Sequence, residues 1–175
     1  MTTGQTLLTL GAFMLLSTIL LNFYGTMGES GAVINNGQDG ILATTVATSY
    51  KETARGLSFD QITDTSDVAI RNPAVLTTPY ALGPEPGEDS LSLFNDFDDL
   101  NGFLQDKQVT GSTCIYRTSF AVHYVNPDDV DQVSSVATFT KRLDMKTWRT
   151  YPPVTGQDEL DTVRTSMVLG YFHFN

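Results

Sequence analysis

The sequence predicts an α+β fold, in which a long apolar N-terminal helix precedes a head domain built on an antiparallel β-sheet. Two observations support it. The first 28 residues contain no charged side chain, and the first one is Glu29. Beyond about residue 113, apolar and polar residues alternate with the period of two that is typical of strands. A helical pattern followed by strands is characteristic of α+β proteins, in which a sheet packs on a helix.

The chain is divided into an uncharged apolar segment and an acidic body. Its 175 residues include 20 acidic and 10 basic side chains, for a net charge of −10. All ten basic residues lie at or after Lys51. This balance argues against nucleic-acid binding, because phosphate is bound by basic surfaces.

Residues 3–24 are predicted to form one helix of about 33 Å, close to the thickness of the bilayer hydrocarbon. Burying each large apolar side chain of this helix contributes about 1.5–3 kcal/mol. A bilayer, a partner or further copies of the helix must therefore cover them. The residues expected to form this buried core are Leu7, Leu8, Leu10, Gly11, Phe13, Leu15, Leu16, Ile19, Leu20 and Phe23. The Lys/Arg flank of a signal peptide or membrane anchor is missing here.

Residues 25–40 are predicted to be a non-helical stretch, because each interior glycine lowers helix stability by about 1 kcal/mol. The glycines expected to melt the helix are Gly25, Gly28, Gly31 and Gly37. A second helix is predicted to begin after Asp39 and to end near Gly56. The predicted organisation is thus an apolar helix (1–24), a glycine-rich stretch (25–40) and a head that includes the second helix (41–175).

The rest of the head is predicted to consist mainly of strands and turns. Short extended pieces are expected at 68–71 and 74–78, and a loop at 83–90. Longer strands are predicted at 114–126, 132–145 and 162–174, the second extended by "KTWRTY".

The segment "FNDFDDLNGF" (94–103) places several oxygen-bearing side chains close together. Asp96, Asp98 and Asp99 are the kind of ligands that calcium takes, although the spacing is not that of an EF-hand. The alternative is a solvated acidic loop whose aromatic and leucine side chains dock inward. Calcium is the one cofactor that the sequence suggests.

No pattern of residues predicts catalysis. Glycine-rich phosphate loops, nucleophile elbows and paired metal ligands such as HExxH are absent from the sequence. Cys114 and His123 are nine residues apart in one predicted strand, which separates them by about 30 Å. The sequence therefore predicts a protein that is not an enzyme.

Three stretches resemble the type IV pilin and pseudopilin superfamily. "TLLTLGAFMLLSTILL" is similar to the apolar helix of mature pilins, and "FNDFDDLNGF" to the acidic loop of minor pilins. "TVRTSMVLGYFHF" resembles their last strand. The resemblance implies that Met1 is the first residue of a processed subunit. It also implies that Gln5 stands where pilins carry a Glu that pairs with a neighbour's N-terminal amine.

The resemblance implies a structural protein. Identical subunits would pass through the inner membrane and stack their apolar helices into an extracellular filament, and the glycine-rich stretch would lose helicity on assembly. Two alternatives remain open. One is a membrane-anchored binding protein with an acidic, calcium-binding head, and the other is a filament subunit of an unrelated family.

Overall fold

The structure is a computed structural model that describes residues 2–66, 68–153 and 162–172, without the side chains of 29–36. The chain forms two compact units, Met1–Asp39 and Gly40–Asn175. The first is helical, and the second contains the end of the same helix and an antiparallel sheet. The predicted α+β class is confirmed.

Helix α1 extends from Thr3 to Arg55 without interruption. The predicted break at 25–40 is therefore wrong for this structure, and Gly25, Gly28, Gly31 and Gly37 are helical. Glycine lowers helix stability but places no atom in the way of the next turn, and the helix contains no proline. Extending an existing helix adds a hydrogen bond for each residue fixed, so the helical turns on both sides favour continued helix through residues 25–40.

The last turns of α1 pack on the sheet. The buried residues of α1 itself recur at intervals of one to four positions, and they are Ala43, Val46, Ala47, Tyr50 and Ala54. The ring of Tyr50 meets that of Phe120 edge to face, with 5.2 Å between the centroids. Gly56 follows the last helical residue, as predicted, and its amide donates to the carbonyl of Thr53 at 3.0 Å.

Among the described residues, the elements that follow α1 are a short helix, two single 3₁₀ turns and five strands. They are α2 (Gln61–Thr65), the 3₁₀ turns Pro73–Val75 and Asp98–Leu100, and β1 (Leu104–Gln108), β2 (Ile115–Asn126), β3 (Asp129–Val133), β4 (Thr140–Tyr151) and β5 (Val163–Gly170). The sheet has the order β1-β2-β4-β5, and β3 pairs with the end of β2. All neighbouring strands are antiparallel.

The predicted strand at 114–126 corresponds to β2. The one at 162–174 corresponds to β5, which ends at Gly170, and positions 173–174 lie outside the described residues. Other predictions need correction. The extended pieces expected at 68–71 and 74–78 form no strand, because Asn72 caps a 3₁₀ turn there. The strand expected at 132–145 is two strands. Between them, the Thr138 hydroxyl donates to the carbonyl of Val125 at 2.8 Å and accepts from the amide of Thr140 at 3.3 Å. Such local hydroxyl bonds compete with a regular ladder.

A buried lysine lies among the apolar side chains of the sheet. The ammonium of Lys141, on β4, is fully buried. It donates to the carbonyl of Phe59 at 2.7 Å, to Asp60 Oδ2 at 3.0 Å and to Asp98 Oδ1. It also lies over the rings of Phe59 and Tyr124, 4.7 and 5.2 Å from their centroids. All three ammonium protons therefore have acceptors.

Asp60 connects this lysine to the surrounding segments. It is the N-cap of α2, where its side chain accepts from the amide of Ile62. Its carboxylate also accepts from the hydroxyl of Tyr124 and from the amide of Thr77, each at 3.1 Å. The Asp60–Lys141 pair thus joins α2, the segment at residue 77, β2 and β4.

We predict that Lys141→Met will destabilise the head by about 3–5 kcal/mol, because Asp60 and Asp98 would remain buried without a counter-charge. Chemical denaturation of the full chain in detergent, monitored by near-ultraviolet circular dichroism, measures the change in the free energy of unfolding. Lys146→Met is the matched control, since Lys146 is an exposed lysine on the same strand. Equal stability of the two variants would contradict the structural role of Lys141.

A second prediction concerns the glycine-rich part of α1. A Cβ added at Gly28 or Gly37 would meet nothing within 4 Å. Each change to Ala should therefore stabilise the helix by about 1 kcal/mol and slow amide hydrogen exchange across 25–40. Gly111→Ala should instead destabilise the head, because Gly111, between β1 and β2, has a φ of +81° that an alanine adopts only with strain. Unchanged exchange in Gly28→Ala and Gly37→Ala would show that glycine does not limit helix stability here.

Candidate functional site

The apolar part of α1 is the first candidate site. Thr3–Gly28 spans 26 residues and is long and apolar enough to cross a membrane, a property that signal sequences share. None of its most apolar window is buried within the chain. The large side chains of the predicted core are between 46% (Leu20) and 75% (Leu8) exposed. A Cβ placed on Gly11 would likewise meet no atom within 4 Å. The described part of the chain therefore does not cover this surface.

Several threonine hydroxyls along this helix are satisfied by its own backbone. Thr9 Oγ1 donates to the carbonyl of Gln5 at 3.1 Å, and Thr18 Oγ1 donates to that of Met14 at 2.8 Å. Thr26 Oγ1 donates to the carbonyl of Asn22 at 2.9 Å. A hydroxyl that is bonded in this way can enter an apolar environment without losing a hydrogen bond.

The predicted docking residues lie at the start of this helix. Met1 is outside the described residues. Gln5 Oε1 accepts from the backbone amide of Thr2 at 3.2 Å. Within a single chain, Gln5 therefore caps its own first turn.

The acidic segment 95–101 is the second candidate site, and it is not a solvated loop. Asp96, Asp98 and Asp99 are each fully buried. The amide of Ser58 donates to the carbonyl of Asn95 at 3.1 Å, which fixes the segment beside the end of α1. The buried Phe97 and Leu100 dock inward, as the alternative interpretation of the segment predicted, but the acidic side chains are buried with them.

The three predicted calcium ligands are divided between two groups. Asp98 bonds Lys141, whereas Asp96 and Asp99 lie with Glu85. Glu85, Asp96 and Asp99 each offer one oxygen, and these oxygens lie within 4.8 Å of one another. Glu85 lies outside the segment 94–103, so the local pattern that predicted the other ligands did not predict this one.

Backbone amides orient the two buried carboxylates of this group. Asp96 Oδ1 accepts from the amide of Asp98 at 2.9 Å. Asp99 Oδ2 accepts from the amides of Asn95 and Asp96 at 2.9 and 3.1 Å. The other oxygens, Asp96 Oδ2 and Asp99 Oδ1, are buried and have no hydrogen-bond partner among the described residues. Each carboxylate is thus held through one oxygen by backbone amides, and each also lies within hydrogen-bonding reach of a neighbouring carboxyl, Asp98 for Asp96 and Glu85 for Asp99.

Burial makes the ionised forms of these acids unfavourable. Desolvation, followed by the charge of Asp98, raises the pKa of Asp96 to about 8. Desolvation and the neighbouring carboxyls of Glu88 and Asp99 raise the pKa of Glu85 to about 7. The pKa of Asp99 is also raised by burial, although the amides of Asp96 and Asn95 oppose the shift. The cluster requires protons or a cation to balance its charge.

Glu88 and Asn95 lie beside the cluster. Asn95 belongs to the segment 94–103, in which the sequence predicts oxygen ligands for calcium, whereas Glu88 lies outside that segment. Asn95 Nδ2 donates to Glu88 Oε1 at 2.8 Å, and the amide of Glu85 donates to Glu88 Oε2 at 3.2 Å. This geometry leaves Asn95 Oδ1 buried and without a partner in the described part of the chain. Asn95 therefore contacts the cluster through its backbone amide, which donates to Asp99, and contacts Glu88 through its side-chain amide.

Comparison with known proteins gives no assignment: no family model, curated protein or solved structure matches this chain. The two candidate sites are therefore the basis for a proposal about function.

Proposed function

We propose that this chain is the structural subunit of an extracellular filament of the type IV pilus kind, assembled from identical copies through the apolar part of α1. The observation that carries the proposal is the uncovered surface of Thr3–Gly28. Before assembly, this segment resides in a membrane.

The size of the uncovered surface supports this proposal. Eleven large apolar side chains lie between Leu7 and Phe23. At about 1.5–3 kcal/mol each, their burial contributes on the order of 15–30 kcal/mol. A helix that is apolar on all sides belongs in a bilayer or in a core of packed helices.

Two further features favour contact between copies. Small residues recur every seven positions at Gly4, Gly11, Thr18 and Gly25, which allows another helix to approach closely. On its C-terminal side the segment lacks the basic flank of a typical anchor, since the first basic residue is Lys51. The threonine hydroxyls that donate to backbone carbonyls of the same helix suit burial in either lipid or a helical core.

The second candidate is a membrane-anchored binding protein, and the acidic cluster around Asp96 favours it. Such a protein would be recovered as a monomer in detergent, and shear would release no fibres from cells. Electron microscopy of sheared extracellular material therefore distinguishes the two functions.

We predict that Leu15→Asp will abolish fibres, because an unpaired charge in an apolar helical core costs several kcal/mol per subunit. Thr48→Asp is the matched control, since it introduces the same side chain at an exposed position of α1 in the head. The amount of each variant in the membrane fraction must be measured too, so that failed insertion is not mistaken for failed assembly. Normal fibres from Leu15→Asp subunits would exclude a core built from this helix.

A further prediction concerns docking of the N-terminus. Gln5→Leu should slow assembly, since it removes the amide oxygen that could accept from a neighbour's terminal amine, whereas Gln5→Glu should assemble at least as fast as the parent. Asn22→Leu, which removes an amide farther along the same helix, should have less effect. The measurement is the rate of fibre formation after induced expression. Equal rates for Gln5→Leu and the parent would mean that Gln5 has no docking role.

A further inference from the structure

The acidic cluster contains more negative charge than the nearby basic groups balance. The ammonium of Lys141 uses its three donors on Phe59, Asp60 and Asp98. Among the salt bridges of the described residues, none involves Glu85, Asp96 or Asp99. Two of these three carboxylates are fully buried.

The free oxygens of the cluster are independent signs of a ligand. Glu85 Oε2, Asp96 Oδ2 and Asp99 Oδ1 are buried and meet no hydrogen-bond donor among the described residues. The side-chain groups within hydrogen-bonding reach are other carboxyls, namely Glu88 and Asp99 for Glu85 and Asp98 for Asp96. An unpartnered buried carboxylate oxygen is strongly disfavoured unless a proton or a cation meets it. Asn95 Oδ1, a neutral acceptor in the same segment as Asp96 and Asp99, is also buried and without a partner among the described residues.

We propose that Glu85, Asp96 and Asp99 bind one calcium ion, with Asn95 Oδ1 as a further ligand. Oxygens bound to one calcium at 2.3–2.6 Å can lie at most about 5 Å apart. The 4.8 Å limit on the separations among the three carboxylates satisfies this condition.

The chemistry of the ligands selects the class of metal. All four are oxygens, which suit calcium and magnesium rather than zinc or copper. Calcium accepts irregular sets of carboxylate and amide oxygens, whereas magnesium demands a near-ideal octahedron and keeps several of its waters. A mostly buried site held by backbone-oriented carboxylates therefore favours calcium.

The bound ion would act as a structural link. Glu85 belongs to the loop at 83–90. Asp96 and Asp99 belong to the segment 95–101, which Ser58 holds beside the end of α1 and Lys141 holds to the sheet. Calcium would join that loop to the folded head. This inference does not depend on filament assembly, because it concerns residues of the head alone.

The test uses the full chain in detergent, stripped with a chelator and titrated with calcium chloride. We expect one calcium per chain by calorimetry. At 100 times the dissociation constant, calcium should raise the melting temperature by about 5–10 °C. Magnesium chloride at the same concentration should give a smaller shift. An unchanged melting temperature together with no binding heat would overturn the proposal.

Two variants test the ligand assignment. Asp96→Asn and Glu85→Gln should each weaken calcium binding at least tenfold, and far-ultraviolet circular dichroism verifies that they fold. Glu85 is only partly buried, so Glu85→Gln remains informative if Asp96→Asn fails to fold. The control is Asp89→Asn, which removes an exposed acid of the same loop region and should bind like the parent. Equal weakening in Asp89→Asn and Glu85→Gln would indicate nonspecific attraction to an acidic surface and would overturn the assigned site. Filament formation is scored separately, so failure of this test leaves the proposed function intact.

Discussion

The hydrogen bonds of the Lys141 ammonium hold the head together at the point where its separate segments meet. The lysine comes from β4, but its three acceptors belong to other segments. They are the carbonyl of Phe59 just after α1, the carboxylate of Asp60 that caps α2, and the carboxylate of Asp98 in a 3₁₀ turn. Removing a charge from water costs several kcal/mol and is tolerated only when the partners are well placed. One side chain of the sheet therefore fixes the positions of three other parts of the chain.

The same contact explains how the acidic segment is organised. Asp98 is directed to Lys141, while Asp96 and Asp99 are three residues apart around the turn Asp98–Leu100. Asp96 precedes this turn and Asp99 lies within it, and the amide of Asp96 donates to Asp99 Oδ2 at 3.1 Å. These two carboxylates can therefore share a site with Glu85, apart from the lysine. Three acids that are almost adjacent in sequence thus take two different roles, one as a structural counter-charge and two as the proposed calcium ligands.

The two units of the chain have different requirements for burial. The head covers its own core, in which Tyr116, Phe120, Leu143 and Met145 are almost completely buried. The apolar part of α1 is not buried within the described residues, and in the proposed function it is covered by lipid and then by other subunits. For this reason the proposed assembly depends on residues before Gly28, whereas the proposed calcium site depends on residues after Leu82.

The α+β class, the apolar helix, the end of α1 just before Gly56 and the positions of β2 and β5 were all predictable from the sequence. These features follow from local patterns of charge, glycine and alternating burial, which are visible in a short window. The separation of β3 from β4, the pairing of Lys141 with Asp60 and Asp98, and the position of Glu85 beside Asp96 and Asp99 emerged only in the folded chain. The physical reason is distance along the chain: Lys141 and Asp60 are 81 residues apart. Which charges are neutralised in the core depends on contacts that no local pattern records.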